Sequence, residues 1–192
     1  MDKLRELFKT ELKRFIEQKK INRRLWNISE DTAEILFKLV LKNKPRRILE
    51  IGTSNGYSTF WLSIAAEKTG SFIDTIEVDE VRFRMARENL SARQNVNLIH
   101  GLAEEEIPKI DHKFDFVFID GGKIGYINYI RLLEKKLQPK AIIIADNVIT
   151  HKDTVRDYLD YMQENELFET KTVHIGSGLE ISKYNLENYR EI

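Results

Sequence analysis

"LEIGTSNGYSTFWL", residues Leu49–Leu62, decides the fold. An apolar stretch carrying Glu50 stops at Gly52, a second glycine follows at Gly56, and the run Phe60–Leu62 opens a helical pattern. Glycine permits the tight turn and lets a ligand approach the backbone. The free N–H groups at a helix start favour an anionic group. A strand, a glycine tip and a helix are therefore the expected mount for a nucleotide-like cofactor at the carboxyl end of a parallel strand.

Working outward, the same alternation recurs from Pro45 onward. Apolar strands are expected at residues 46–52, 71–78, 96–101, 114–120 and 141–147, with helices at 57–68, 80–93, 102–109 and 125–137. Strands of nearly continuous Ile, Leu, Val and Phe are buried on both faces, as in a parallel sheet. Strand–helix alternation gives an α/β, Rossmann-like doubly wound fold with right-handed crossovers. The tail departs from this pattern. After a helix near 152–164, "FETKTVHI" and "GLEISKYN" flank "GSG", which reads as a terminal hairpin.

Upstream, Leu4, Leu7, Phe8, Leu12, Phe15 and Ile16 recur at helical spacing, predicting one amphipathic helix over 2–19. Its apolar face suggests a homodimer. "INRRLWNIS" reads as a loop, and Ser29 as the N-cap of the next helix, with Thr32 rather than Glu at the third position. The whole chain, 1–192, reads as one domain: a helical segment over 1–44 and a cofactor-binding core over 45–192.

Composition narrows the function. A chain of 192 residues suits one domain with a sizeable core. Lys+Arg and Asp+Glu are both 31, which weighs against a mainly electrostatic nucleic-acid binder. There is no cysteine, so disulfides, thiolate metal sites and a cysteine nucleophile are excluded. No apolar run approaches bilayer length, and the N-terminus is too charged for a secretory signal. The expectation is a soluble cytoplasmic protein with no membrane partner.

The glycine spacing is G-x-x-x-G, not the G-x-G-x-x-G of dinucleotide enzymes. Glu77 ends the second strand, 21 residues after Gly56, where an acid accepts hydrogen bonds from both hydroxyls of a ribose. Gly101, Leu102 and Ala103 follow the third strand and can flank an adenine, with Glu104 facing its amino group. These features indicate a nucleoside. They leave a nicotinamide dinucleotide and S-adenosylmethionine both open.

Strand four ends at Asp120 and strand five at Asp146–Asn147. Neighbours within a strand point to opposite faces, so Asp146 and Asn147 converge only if the strand has already ended. A hard cation suits three oxygen ligands of which two are anionic, and without His or Cys it is Mg²⁺, Mn²⁺ or Ca²⁺ rather than zinc. Lys123, three residues after Asp120, is the candidate base. Tyr126 and Tyr129 read as packing residues.

With these stretches in place, the sequence resembles class I S-adenosylmethionine-dependent O-methyltransferases over residues 26–185. The nearest resemblance is to the cation-dependent group containing the catechol and caffeoyl-CoA enzymes. The resemblance implies that Glu50, Gly52 and Ser58 line the methionine moiety, with Thr53, Ser54 and Gly56 in the same turn. It implies Glu77 for the ribose, and Gly101, Ala103 and Glu104 for the adenine. Asp120, Asp146 and Asn147 become ligands of a divalent cation, Mg²⁺ by preference, with Asp120 also beside the cofactor. Lys123 becomes the base. A seven-stranded sheet with an antiparallel last strand is also implied.

The sequence departs from that pattern at Gly121 and Gly122, which stand where relatives carry larger side chains and open the pocket. It also places Lys171 near where catechol enzymes use an acid. The expected reaction is methyl transfer to a hydroxyl of a small, aromatic acceptor, with Trp26 and Tyr57 as pocket walls and Trp61 in the core. Two alternatives stand beside it. One is O-methylation of tRNA hydroxyuridine, using Lys19, Lys20, Arg23 and Arg24 against phosphates. The other is a nicotinamide-dependent oxidoreductase.

Overall fold

A computed structural model describes residues 1–22 and 25–185, so Arg23 and Arg24 of the basic cluster lie outside the described residues. In chain order the elements are α1 (Asp2–Leu7), α2 (Lys9–Ile21), α3 (Glu30–Asn43), β1 (Arg47–Ile51), α4 (Tyr57–Thr69), β2 (Phe72–Glu77), α5 (Glu80–Asn89) and β3 (Val96–His100). There follow α6 (Ala103–Glu106), β4 (Phe114–Ile119), α7 (Tyr126–Leu133), β5 (Leu137–Ala145), α8 (Arg156–Glu164), β6 (Phe168–Val173) and β7 (Leu179–Tyr184).

The seven strands form one sheet in the order β3-β2-β1-β4-β5-β7-β6. β1 to β5 are parallel, and β7 runs antiparallel to both β5 and β6. The expected α/β class and the terminal hairpin are both observed. One face carries α3 and α4 over Ile48, Phe116, Phe118 and Ile144. The other carries α7 and α8 over Leu49, Val117, Ile119 and Ile143. Neighbouring strand residues thus enter opposite cores, and burial on both sides explains the unbroken apolar runs.

Local chemistry sets the boundaries. Ser29 caps α3, its hydroxyl accepting the Thr32 N–H at 3.1 Å. The single helix expected over 2–19 is two helices, broken at Phe8 (φ −106°, ψ 26°). Phe8 turns inward, its ring edge-on to Phe60 at 5.5 Å between centroids. Phe15 is buried against Phe60 and Tyr57, whereas Leu7, Ile16 and Ile21 stay exposed. β5 begins four residues earlier than expected, and its register with β4 shifts between Phe114 and Phe116. Pro139, which has no N–H to give a ladder, and Lys140 at φ +69° lie in that irregular part. Among the described residues no helix is long and apolar enough to cross a membrane.

Candidate active site

The strand order reverses between β1 and β4, and in an open α/β sheet the crevice at that point is the ligand site. A cavity of about 740 Å³ opens there. Its walls bring together Gly52, Thr53, Ser54, Ser58 and Glu77 with Gly101, Ala103, Glu104, Asp120, Lys123, Asp146 and Asn147. Trp26 and Tyr57 also line it, and Trp61 sits in the core, as the sequence suggested. Of the expected cofactor residues, Glu50 and Gly56 are not on the wall.

The glycine tip is shaped first by packing. Gly52 has φ +100°, and a Cβ there would stand 2.7 Å from the carbonyl carbon and oxygen of Asp120. It lets the tips of β1 and β4 touch. Gly56 has φ +89°, and a Cβ would meet Leu90 Cδ1 at 2.9 Å, so this glycine seats α4 against the end of α5. Both positions need glycine before any ligand arrives.

Glu50 is fully buried behind the wall. Its carboxylate accepts hydrogen bonds from Ser58 Oγ at 2.5 Å, from Thr75 Oγ1 at 2.6 Å and from the Thr59 hydroxyl. Burial pushes Glu50 up to about 7 against the pull of these three hydroxyls, and the nearby Asp120 charge adds to the rise. Glu50 therefore reaches the cavity through Ser58, which does line it. Glu77 is 4% exposed. Its Oε2 accepts the Ser54 N–H at 2.7 Å and its Oε1 the Asp79 N–H at 2.9 Å, with Arg82 Nη2 3.3 Å from Oε1. Each carboxylate oxygen has two lone pairs, so Oε2, with the Ser54 N–H alone on it, keeps one free for a ligand hydroxyl.

Across the switch point, Lys123 Nζ donates to Asp120 Oδ1 at 2.7 Å and to the Gly121 carbonyl at 3.2 Å. Burial raises Asp120 to about 7; the Lys123 charge opposes this and the Asp146 charge adds to it. Asp146 is also raised by burial, with the Asn147 N–H (2.7 Å to Oδ1) and the Lys123 charge opposing. β5 ends at Ala145 and Asn147 takes φ +67°, and this turn brings two consecutive residues to one cavity. Tyr126 ties the two tips together, its hydroxyl shared between the carbonyls of Ile119 at 3.2 Å and Asp146 at 3.1 Å. Among the described residues no group of three or more His, Cys, Asp and Glu side chains is placed to hold a metal ion. The constellation here is two acids and one amide.

Sequence reasoning missed several wall residues. Arg82 flanks Glu77, and Tyr129, Thr150, His151 and Ser177 also line the cavity. Arg82 lies five residues beyond Glu77 on a helix start, a spacing that could have raised it. The others come from separate elements and carry no shared motif. Lys171 lies in β6 opposite Ile181, away from the cavity wall.

An open α/β sheet with this strand order places its ligand site in the acid-lined crevice at the switch point. The family is fixed by comparison: the chain belongs to the methyltransferase-domain family, whose model matches residues 49–148. The nicotinamide alternative falls with that match.

Among curated relatives, a catechol O-methyltransferase of Niastella koreensis is 32% identical over 130 residues, covering 64% of this chain and 58% of the relative. One of Mycobacterium tuberculosis is 33% identical over 126 residues, covering 64% and 57%. The match thus spans under two thirds of these relatives' length. An O-methyltransferase from Bacillus cereus, solved in complex with SAH, shares the fold with a TM-score of 0.80 at 24% identity, covering 92% of this chain and 91% of that one.

Proposed function

We propose that this chain moves the methyl group of S-adenosylmethionine to a hydroxyl of a small acceptor, with a divalent cation at Asp120, Asp146 and Asn147. The observation that carries the reading is the meeting of Glu77 with the Asp120–Lys123–Asp146 cluster on one cavity at the switch point. The relatives named as catechol O-methyltransferases support hydroxyl chemistry. In this reading Glu77 holds the ribose, Gly101, Ala103 and Glu104 border the adenine, and Gly52, Thr53, Ser54 and Ser58 border the methionine.

The cation fits the donor set. Two buried carboxylates and one amide carbonyl are hard oxygen donors, and Lys123 alone does not neutralise the pair. A divalent cation bound there supplies stabilisation of an acceptor oxyanion. Mg²⁺ is the reading we favour. The chain's own residues do the rest. The cavity aligns the acceptor oxygen with the methyl carbon, and alignment of bound reactants is worth on the order of 7–11 kcal/mol. The oxygen then forms its bond to carbon as the carbon–sulfur bond breaks. Lys123, held by Asp120, stands where the hydroxyl proton leaves. It is the side chain placed to take that proton.

Trp26 and Tyr57 on the wall favour an aromatic acceptor. Lys19 on the same wall supports a second reading, in which the acceptor belongs to tRNA. Exposed Leu7, Ile16 and Ile21 support a homodimer, and the lack of cysteine suits a cytoplasmic setting.

The test is a tritium-transfer screen from labelled S-adenosylmethionine to catechols, flavonoids, CoA esters and hypomodified tRNA, each with Mg²⁺ and with EDTA. Transfer to a small acceptor that EDTA abolishes is the expected result. Transfer that survives EDTA removes the cation, and absence of S-adenosylhomocysteine binding at millimolar concentration removes the whole reading.

A further inference from the structure

Two tyrosines stand one helical turn apart at the start of α7, and their hydroxyls meet different fates. That of Tyr126 is spent on the carbonyls of Ile119 and Asp146. That of Tyr129 is not: among the described residues no acceptor takes its hydrogen. The Tyr129 ring is almost wholly buried, at 6% exposure, yet it lines the cofactor cavity beside Ala103 and Glu104.

One glycine makes room for it. A Cβ on Gly125 would lie 2.5 Å from the Tyr129 Cζ and hydroxyl oxygen, so that residue must be glycine for the phenol to occupy its place. A Cβ on Gly122 would lie 3.5 Å from the same oxygen, an ordinary contact, so the loop packs against the hydroxyl without requiring glycine there. The phenol thus sits under the loop leaving β4, in space that Gly125 leaves open.

The hydroxyl is a fixed donor. Burial pushes it up to about 12, the Glu104 charge adds to the rise, and hydrogen bonding from the Gly122 backbone opposes it. At neutral pH it keeps its hydrogen. The Glu104 carboxylate close enough to perturb it is an acceptor. One donor and one acceptor on the same wall suit one edge of adenine, which offers an amino hydrogen next to an unprotonated ring nitrogen.

We propose that Tyr129 reads the base of the cofactor: its hydroxyl donates to an adenine ring nitrogen while Glu104 accepts from the exocyclic amino group. This rests on the S-adenosylmethionine reading above. A base carrying an oxygen in place of the amino group would face Glu104 acceptor to acceptor and be rejected.

The test uses the full chain, titrated calorimetrically with S-adenosylhomocysteine and with three analogues in which N1, N3 or N7 is replaced by C–H. Tyr129→Phe should weaken S-adenosylhomocysteine binding roughly 5- to 10-fold, the value of one neutral hydrogen bond. The N1 or the N7 analogue, whose position adjoins the amino group, should bind the wild type weaker by a similar factor and be indifferent to Tyr129→Phe, and sensitivity at N3 alone overturns the inference. Equal loss for all four ligands marks a structural role and overturns the inference, as does wild-type binding of S-adenosylhomocysteine with no loss on Tyr129→Phe. Should the variant fail to fold, the wild type decides: indifference to all three nitrogen replacements overturns it. A wild type that does not bind S-adenosylhomocysteine at all overturns the cofactor reading itself, and this inference with it.

Discussion

Replacing Glu180 with Gln should remove a pH-dependent weakness in the fold. Glu180 lies in β7, opposite Ala145 of β5 and Thr172 of β6, and faces Tyr158 of α8. It is fully buried, and the Tyr158 hydroxyl is the polar group that faces its carboxyl. Burial pushes it from 4.5 up to about 7, with the Tyr158 hydroxyl pulling the other way. Because the folded value lies above the unfolded one, the stabilising effect of the protonated form is complete below about pH 4.5. It is lost as pH rises to about 7. At about 1.36 kcal/mol per pH unit, the gap corresponds to about 3 kcal/mol. About 2–3 kcal/mol of it falls between pH 5 and pH 8, since the unfolded chain is already partly ionised at pH 5. The assay is urea unfolding of wild type and Glu180→Gln at both pH values. The wild type should lose about 2–3 kcal/mol more than the variant on going from pH 5 to pH 8. Taking the difference between the two proteins cancels the other titrating groups and any fixed cost of the amide. Parallel pH–stability lines for the two proteins would refute the reasoning, because Glu180 would then be ionised at ordinary pH despite its burial.

Three further changes separate packing from chemistry. Gly52→Ala should cost roughly 2–5 kcal/mol in urea unfolding, through backbone strain at φ +100° and a clash with the Asp120 carbonyl, and should lower S-adenosylhomocysteine affinity with it. Phe15→Ala should cost about 3–5 kcal/mol by emptying the space against Phe60 and Tyr57, a result readable by thermal unfolding; a cost under about 1 kcal/mol would mean that α2 is not docked. Asp120→Asn should lower kcat by about 100-fold or more while leaving the melting temperature unchanged or raised, because burial, helped by the Asp146 charge, disfavours the Asp120 charge more than Lys123 supports it. Activity within tenfold of wild type would take Asp120 out of the mechanism.

The sheet was legible because its strands are apolar on both faces and its turns are marked by glycine, so periodicity and punctuation agreed. The acids at strand ends were legible for a related reason. A charged residue directly after four or five apolar ones marks where the strand leaves the core, as at Asp120 and Asp146. The break at Phe8 was hidden, since a phenylalanine fits the helical pattern on either side of it. Glu180 was hidden for a subtler reason. Leu179 and Ile181 alternate with Glu180 and Ser182, the pattern of a strand with one wet face. Here α8 covers that second face, and both polar residues are buried. Tyr129 shows the same limit at the site. Its spacing from Tyr126 reads as a packed helix face, and the absence of a side chain at Gly125 leaves the space its phenol occupies at the cavity. What the sequence cannot show is which polar group a neighbouring element will cover, or which glycine makes room for another residue's side chain. In this fold those are the decisions that separate a buried acid that weakens the fold from a phenol aimed at a ligand.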